Sequence, residues 1–181
     1  MYDTVEESLV RKGVQSGFTL IELLVVIAIL ALLATLAMPS RMAEGGRKQV
    51  DESLALLDTL KPQVERYYRM TGGLPANNAD AGIPAPDKLP GNFVSAIRLE
   101  KGGFHLQFGN KAIPALQGKL LSVRAVVVPD SPSSPLSWVC GGSAVPQGMA
   151  AGVVDRTTVE PLSLLPLSCR DLTVKAAPAP Q

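Results

Sequence analysis

Residues 17–30 read GFTLIELLVVIAIL, and the apolar run they open extends from Phe18 to Met38 with one acidic residue, Glu22, near its start. About 20 apolar residues are enough to cross a bilayer core of roughly 30 Å as a helix. A carboxylate inside such a segment costs up to roughly 2.5 to 3.5 kcal/mol at mid-membrane and less near the interface. An anchor alone gains nothing from it, so Glu22 marks a function that needs a partner charge.

The flanks suggest where that partner arises. Upstream lies the polar stretch MYDTVEESLVRKGVQSG, with Arg11 and Lys12 close to the apolar run. Basic residues there keep the N-terminal side cytoplasmic. Ala28, Ala31, Ala34 and Ala37 recur at a spacing of three and form no A-x-A, so a conventional signal-peptidase site after the apolar region is missing. A cut after Gly17 would instead place a new amino group on Phe18, four positions before Glu22.

Gly followed by FTLIELLVVIAIL, with Glu fifth in the matured chain, resembles the class III signal of type IV pilins. The resemblance implies that a prepilin peptidase cuts between Gly17 and Phe18 and that Phe18 is N-methylated. It also implies that Glu22 meets the N-terminus of a neighbouring subunit during filament assembly. The alternative is an uncleaved signal anchor in which Glu22 snorkels to the interface.

From Arg47 to Met70 the sequence RKQVDESLALLDTLKPQVERYYRM carries Val50, Leu54, Leu57, Val64 and Tyr68 on one face. Asp51, Glu52, Asp58, Glu65 and Arg69 oppose them, the pattern of an amphipathic helix. If continuous from Phe18 to Met70, this spine is roughly 80 Å long at 1.5 Å per residue. Pro39 lacks an amide for the bond to Thr35, and Gly45 and Gly46 each cost about 1 kcal/mol relative to Ala. In related pilins the helix just beyond the apolar segment can unwind in the filament, so Pro39, Gly45 and Gly46 are expected to form such a segment. Pro62 is a further break with no functional reading.

The run TGGLPANNADAGIPAPDKLPGN, residues 71–92, is a long connection rich in Gly, Pro and Asn. By resemblance it faces neighbouring subunits. A sheet of about four antiparallel strands follows: 93–100, 104–108, 120–128 and 136–140, with a hairpin at Lys101-Gly102-Gly103. Phe104, Leu106 and Phe108 alternate with His105 and Gln107, which places the histidine on a wet face. Cys140 and Cys169, the only cysteines, read as one disulfide in a domain outside the cytoplasm. The loop it closes is expected to have little regular structure and, by resemblance, to be displayed on the surface. Ser131, Ser133 and Ser134 in DSPSSP form an exposed turn, a place where pilins can be O-glycosylated.

The fold class expected is α+β: a long N-terminal helical spine on an antiparallel sheet, with a disulfide-closed C-terminal loop. Residues 1–17 form a leader, 18–38 a transmembrane and filament-core helix, 39–70 its amphipathic half, and 71–181 the globular head. From Ser40 onward there are 15 Lys/Arg against 12 Asp/Glu, a net of +3. That balance is too small to support nucleic-acid binding, which is left open and unsupported. A lone histidine excludes a His-based metal cluster or a Ser-His-Asp set, no phosphate-binding loop occurs, and no cofactor is expected. The reading is a structural protein, a bacterial type IV pilus subunit and not an enzyme. Its partners are other copies in a helical filament, the prepilin peptidase, the inner membrane before assembly, and the pilus assembly machinery. Alternatives are a minor pilin, a secretion-system pseudopilin, or a membrane-anchored periplasmic binding domain.

Overall fold

The computed structural model describes residues 18–89 and 91–171, with the backbone alone for 36–43. By contacts the chain divides into two units, residues 1–39 and 40–181. Helix α1 (Leu20–Asp58) supplies the described structure of the first unit and enters the second. Its backbone stays helical through Pro39, Gly45 and Gly46.

The spine expected to run unbroken to Met70 is two helices. α1 stops at Asp58 and α2 (Lys61–Thr71) follows. Pro62 is the cause: it has no N–H to give to Asp58, so the chain tightens first. The Thr59 amide bonds Leu56 O at 3.2 Å and the Leu60 amide bonds Leu57 O at 2.9 Å, i→i−3 contacts that end a helix. Pro62 then occupies the first turn of α2, where a missing donor costs nothing. α2 ends at Gly72, whose φ of 74° lets its amide bond Tyr68 O at 2.8 Å.

The sheet is an antiparallel meander of β1 (Val94–Glu100), β2 (Gly103–Phe108), β3 (Leu120–Val127) and β4 (Ser137–Cys140). A short β5 (Ala150–Ala151) also pairs with β3. Lys101 (φ 43°) and Gly102 (φ 77°) form the two-residue β1–β2 turn, the left-handed pair that a tight hairpin favours. Register places Ile97, Leu106 and Leu121 in one cross-strand row and Leu99, Phe104 and Val123 in the next. These side chains, with Val50, Leu57, Leu60 and Val64 from the helices, form one core.

The connection 71–92 packs rather than hanging free: Pro75, Asn78, Ala81 and Ile83 are buried. Asn78 acts as a surrogate strand for the edge of β1. Its Oδ1 accepts the Leu99 amide at 2.8 Å, and its Nδ2 donates to Ile97 O at 3.0 Å and Pro84 O at 2.9 Å.

His105 is not on a wet face. It is 5 % exposed because the segment after β5 crosses the outer side of the sheet. Gly103 lies against Val153, leaving no room for a Cβ. Further along, the Arg156 amide donates to Ser122 Oγ at 3.0 Å and the Thr158 amide to Leu120 O at 2.8 Å. Both ends of this crossing segment lie inside the loop closed by the Cys140–Cys169 disulfide.

Candidate functional site

The first site residues lie at the start of α1. Gly17 is outside the described residues. Phe18 is 82 % exposed, and the apolar side chains from Leu20 to Leu33 are exposed without interruption. Thr19 and Glu22 form a capping box: the Glu22 amide donates to Thr19 Oγ1, and the Thr19 amide and hydroxyl both donate to Glu22 Oε2, each at 3.3 Å. The carboxylate therefore satisfies an orphan donor at the helix start, where the macrodipole also favours negative charge. The pattern T-x-x-E at residues 19–22 was available in the sequence and carries this role independently of any neighbour. Among the described residues no helix is long and apolar enough to cross a membrane; the side chains of α1 are described for residues 20–35 and 44–58.

The residues expected to unwind differ from one another. Pro39 interrupts nothing in the backbone path of α1. A Cβ at Gly45 would meet nothing within 4 Å, whereas at Gly46 it would lie 2.8 Å from Leu164 Cδ2 and 2.9 Å from Ile113 Cδ1. Gly46 thus permits a close approach of α1 to the C-terminal loop. Beside it Arg47 Nε donates to Ser163 O at 2.6 Å, and Gln49 Oε1 accepts the Ile113 amide at 2.9 Å. Sequence spacing gives no sign of these contacts, because the partner residues lie more than 60 positions away.

Cys140 and Cys169 form a disulfide at the end of β4. The loop it closes has little regular structure, so side chains must pair many of its carbonyls. Arginines supply the donors. Arg124 reaches Gly141 O at 2.9 Å and Ser143 O at 3.3 Å, and Arg170 Nε reaches Leu165 O at 2.8 Å. Trp138 stacks on Phe104 with centroids 5.7 Å apart and donates to Glu65 Oε1 at 3.1 Å, tying β4 to α2. Arg156 grips Glu100 with two bonds of 2.9 and 3.0 Å. Those bonds hold the Glu100 carboxyl below its usual range, whereas burial, then the Arg156 charge, lower the pKa of His105. Among the described residues no group of acidic, histidine or cysteine side chains could hold a metal.

A stretch of exposed apolar side chains at residues 18–35 without cover among the described residues, in a chain whose other unit has its own core and disulfide, is the pattern of a subunit that other chains complete. Comparison with known proteins gives the class a family. Residues 46–170 match the model for pilin, a bacterial filament protein, and residues 12–38 match the prokaryotic N-terminal methylation motif. The chain is 33% identical over 164 residues to a type IV major pilin protein PilE1 of Neisseria gonorrhoeae, covering 87% of this chain and 88% of that one. It is 31% identical over 166 residues to a fimbrial protein of Neisseria meningitidis serogroup B (87% and 95% covered). It is 33% identical over 138 residues to the fimbrial protein EcpC of Eikenella corrodens (74% and 86% covered). The chain belongs to the pilin family; it is a structural subunit of a type IV pilus and not an enzyme.

Proposed function

We propose that this chain is a major pilin, held in the inner membrane through residues 18–38, cut by a prepilin peptidase between Gly17 and Phe18, and methylated on the new Phe18 amine. Assembly machinery then polymerises it into extracellular pili that serve adhesion, twitching motility or DNA uptake. The observation that carries the reading is Glu22, a lone carboxylate at the head of an exposed apolar helix inside the region matched by the methylation motif. Its charge pairs with the Phe18 amine of a neighbour, and an unpaired carboxylate in the apolar filament core penalises every other register. Residues 39–70 and 71–181 then form the amphipathic half-helix and the head, with Pro39 and Gly45 in the segment that unwinds on assembly and Gly46 at its far limit. Relatives named as major pilins support the abundant-subunit reading over a minor one.

The experiment is intact-mass and N-terminal analysis of filaments sheared from expressing cells. Chains that begin at methylated Phe18 and dominate the filaments are the expected result. Processed chain confined to the membrane fraction would replace the major-pilin reading with a minor pilin or pseudopilin. Chain that keeps residues 1–17 would remove the cleavage assignment.

A further inference from the structure

A cavity of about 270 Å³ opens on the outer face of the sheet, beside the crossing segment. Arg98 from β1, His105 and Gln107 from β2, and Arg156 from the crossing segment line it, and no carboxylate does. Two guanidiniums, an imidazole and a carboxamide converge there from three separate elements.

The hydrogen-bond network leaves donors unused. Ser122 Oγ accepts the Arg156 amide at 3.0 Å and pairs with His105 Nδ1 at 2.9 Å. His105 Nε2 is buried and has no partner among the described residues. Arg98 is exposed, and no hydrogen bond or ion pair to its guanidinium exists among the described residues. Arg156 spends two of its five N–H groups on Glu100 and keeps three. A donor-rich, acceptor-poor cavity suits an acceptor-only ligand, and donors arriving from several directions suit a tetrahedral one better than a planar carboxylate.

We propose that this cavity binds a tetrahedral oxyanion, a phosphate or sulfate group, with Arg98 as its main ligand and Arg156 and Gln107 beside it. This goes beyond filament assembly and does not depend on it. The imidazole of His105 lies in the cavity wall, so the bound charge acts on it directly. The charged groups around that ring are Arg98 and Glu100 from β1 and Arg156 and Asp155 from the crossing segment; β3 presents the Ser122 hydroxyl and, two residues on, Arg124, whose guanidinium is bonded to Gly141 O. An added oxyanion favours the protonated ring, and by linkage protonation tightens the oxyanion.

His105 is the only histidine, so its ring signals are a unique reporter. The full chain, labelled with 15N-histidine in dodecyl maltoside micelles, is titrated with sodium sulfate and separately with sodium phosphate, against sodium chloride at matched ionic strength. Saturating movement of the His105 ring signals with either oxyanion is expected, and the tighter of the two arms identifies the group. Arg98→Ala should weaken binding about tenfold or more, with Arg98→Lys restoring part of it. With sulfate, whose charge is constant there, binding should tighten as the pH falls below the ordinary histidine range. A response shared by chloride, a response that never saturates, or an Arg98→Ala variant that titrates like the parent would each overturn the proposal.

Discussion

Replacing both Cys140 and Cys169 by alanine should cost the head a large share of its stability. The bridge joins residues 29 apart in sequence. In the chain-entropy account, opening a loop of that length releases about 3.6 kcal/mol of constraint from the unfolded state at 25 °C. For a head of about 130 residues the entropy of unfolding is roughly 0.28 kcal/mol per degree, so the midpoint should fall by about 13 °C. The loss should also be local. The crossing segment is held to β3 by the Thr158 amide on Leu120 O and by the Leu120 amide on Thr158 Oγ1, at 2.8 and 2.9 Å. With the loop open at its base, hydrogen exchange at residues 153–158 should accelerate before exchange in the β1–β2 hairpin. Thermal unfolding of the full chain in detergent micelles, followed by circular dichroism, measures the first effect and exchange mass spectrometry the second. A midpoint lowered by less than about 4 °C, with unchanged exchange at 153–158, would refute the claim that the bridge restrains this loop.

Three further outcomes follow from particular contacts. Glu22→Gln keeps an N3 side chain able to bond the Thr19 amide and should leave the helix intact while sharply reducing pili, whereas Glu22→Ala should lose the pili and about 1 kcal/mol of capping as well; normal piliation by Glu22→Gln, counted by electron microscopy, would remove charge pairing from assembly. Gly45→Ala should raise the thermal midpoint by the equivalent of about 0.5 to 1 kcal/mol, since its methyl meets nothing. Gly46→Ala should not, because Leu164 and Ile113 must give way, and equal midpoints for the two variants would contradict this. Acidification should destabilise the head through His105: its folded pKa is depressed, so below the ordinary histidine range the unfolded chain takes up a proton that the folded one refuses. Glu100, also depressed, acts in the same sense below the ordinary carboxylate range. The midpoint should therefore fall from about pH 7 to about pH 5, and His105→Gln should flatten that fall; an equal slope in the variant would clear His105 of the effect.

What the sequence revealed and what it hid follow from distance along the chain. Periodicity placed the helices and four strands, because Val50, Leu57, Val64 and Tyr68 recur on one face and Phe104, Leu106 and Phe108 on another. Lys101-Gly102 announced its turn because left-handed backbone is a local requirement. His105 could not be placed, since alternation predicts a wet face and the cover comes from Val153 and Arg156, some 50 residues later. Asn78 looked like one polar residue among many in a loop, yet it pairs the edge of β1. Pro62 was visible as a break, and the continuous spine was an overreach of the apolar stripe across it. At the N-terminus the whole motif is local, and Glu22 has two roles there: its charge marks the motif, and its bonds to Thr19, three residues away, cap the helix.

The contacts around Gly46 bear on how far the proposed unwinding can travel. Within one turn, Gly46 seats Leu164 and Ile113, Arg47 bonds Ser163 O, Gln49 accepts from Ile113, and Val50 is fully buried. Melting this turn would strip all four contacts. Just before it the described contacts are weaker: a Cβ at Gly45 would meet nothing within 4 Å, the Glu44–Lys48 pair at 3.5 Å is exposed, and Pro39 has no N–H for a helical bond. Unwinding should therefore spread between Pro39 and Gly45 and stop at Gly46. Ser163 and Leu164, which form the stop, belong to the loop that Cys140 and Cys169 close. The disulfide thus lies in the path that holds the helix, and a filament built from the double alanine variant should let unwinding pass Gly46 and stretch under lower force than one built from the parent chain.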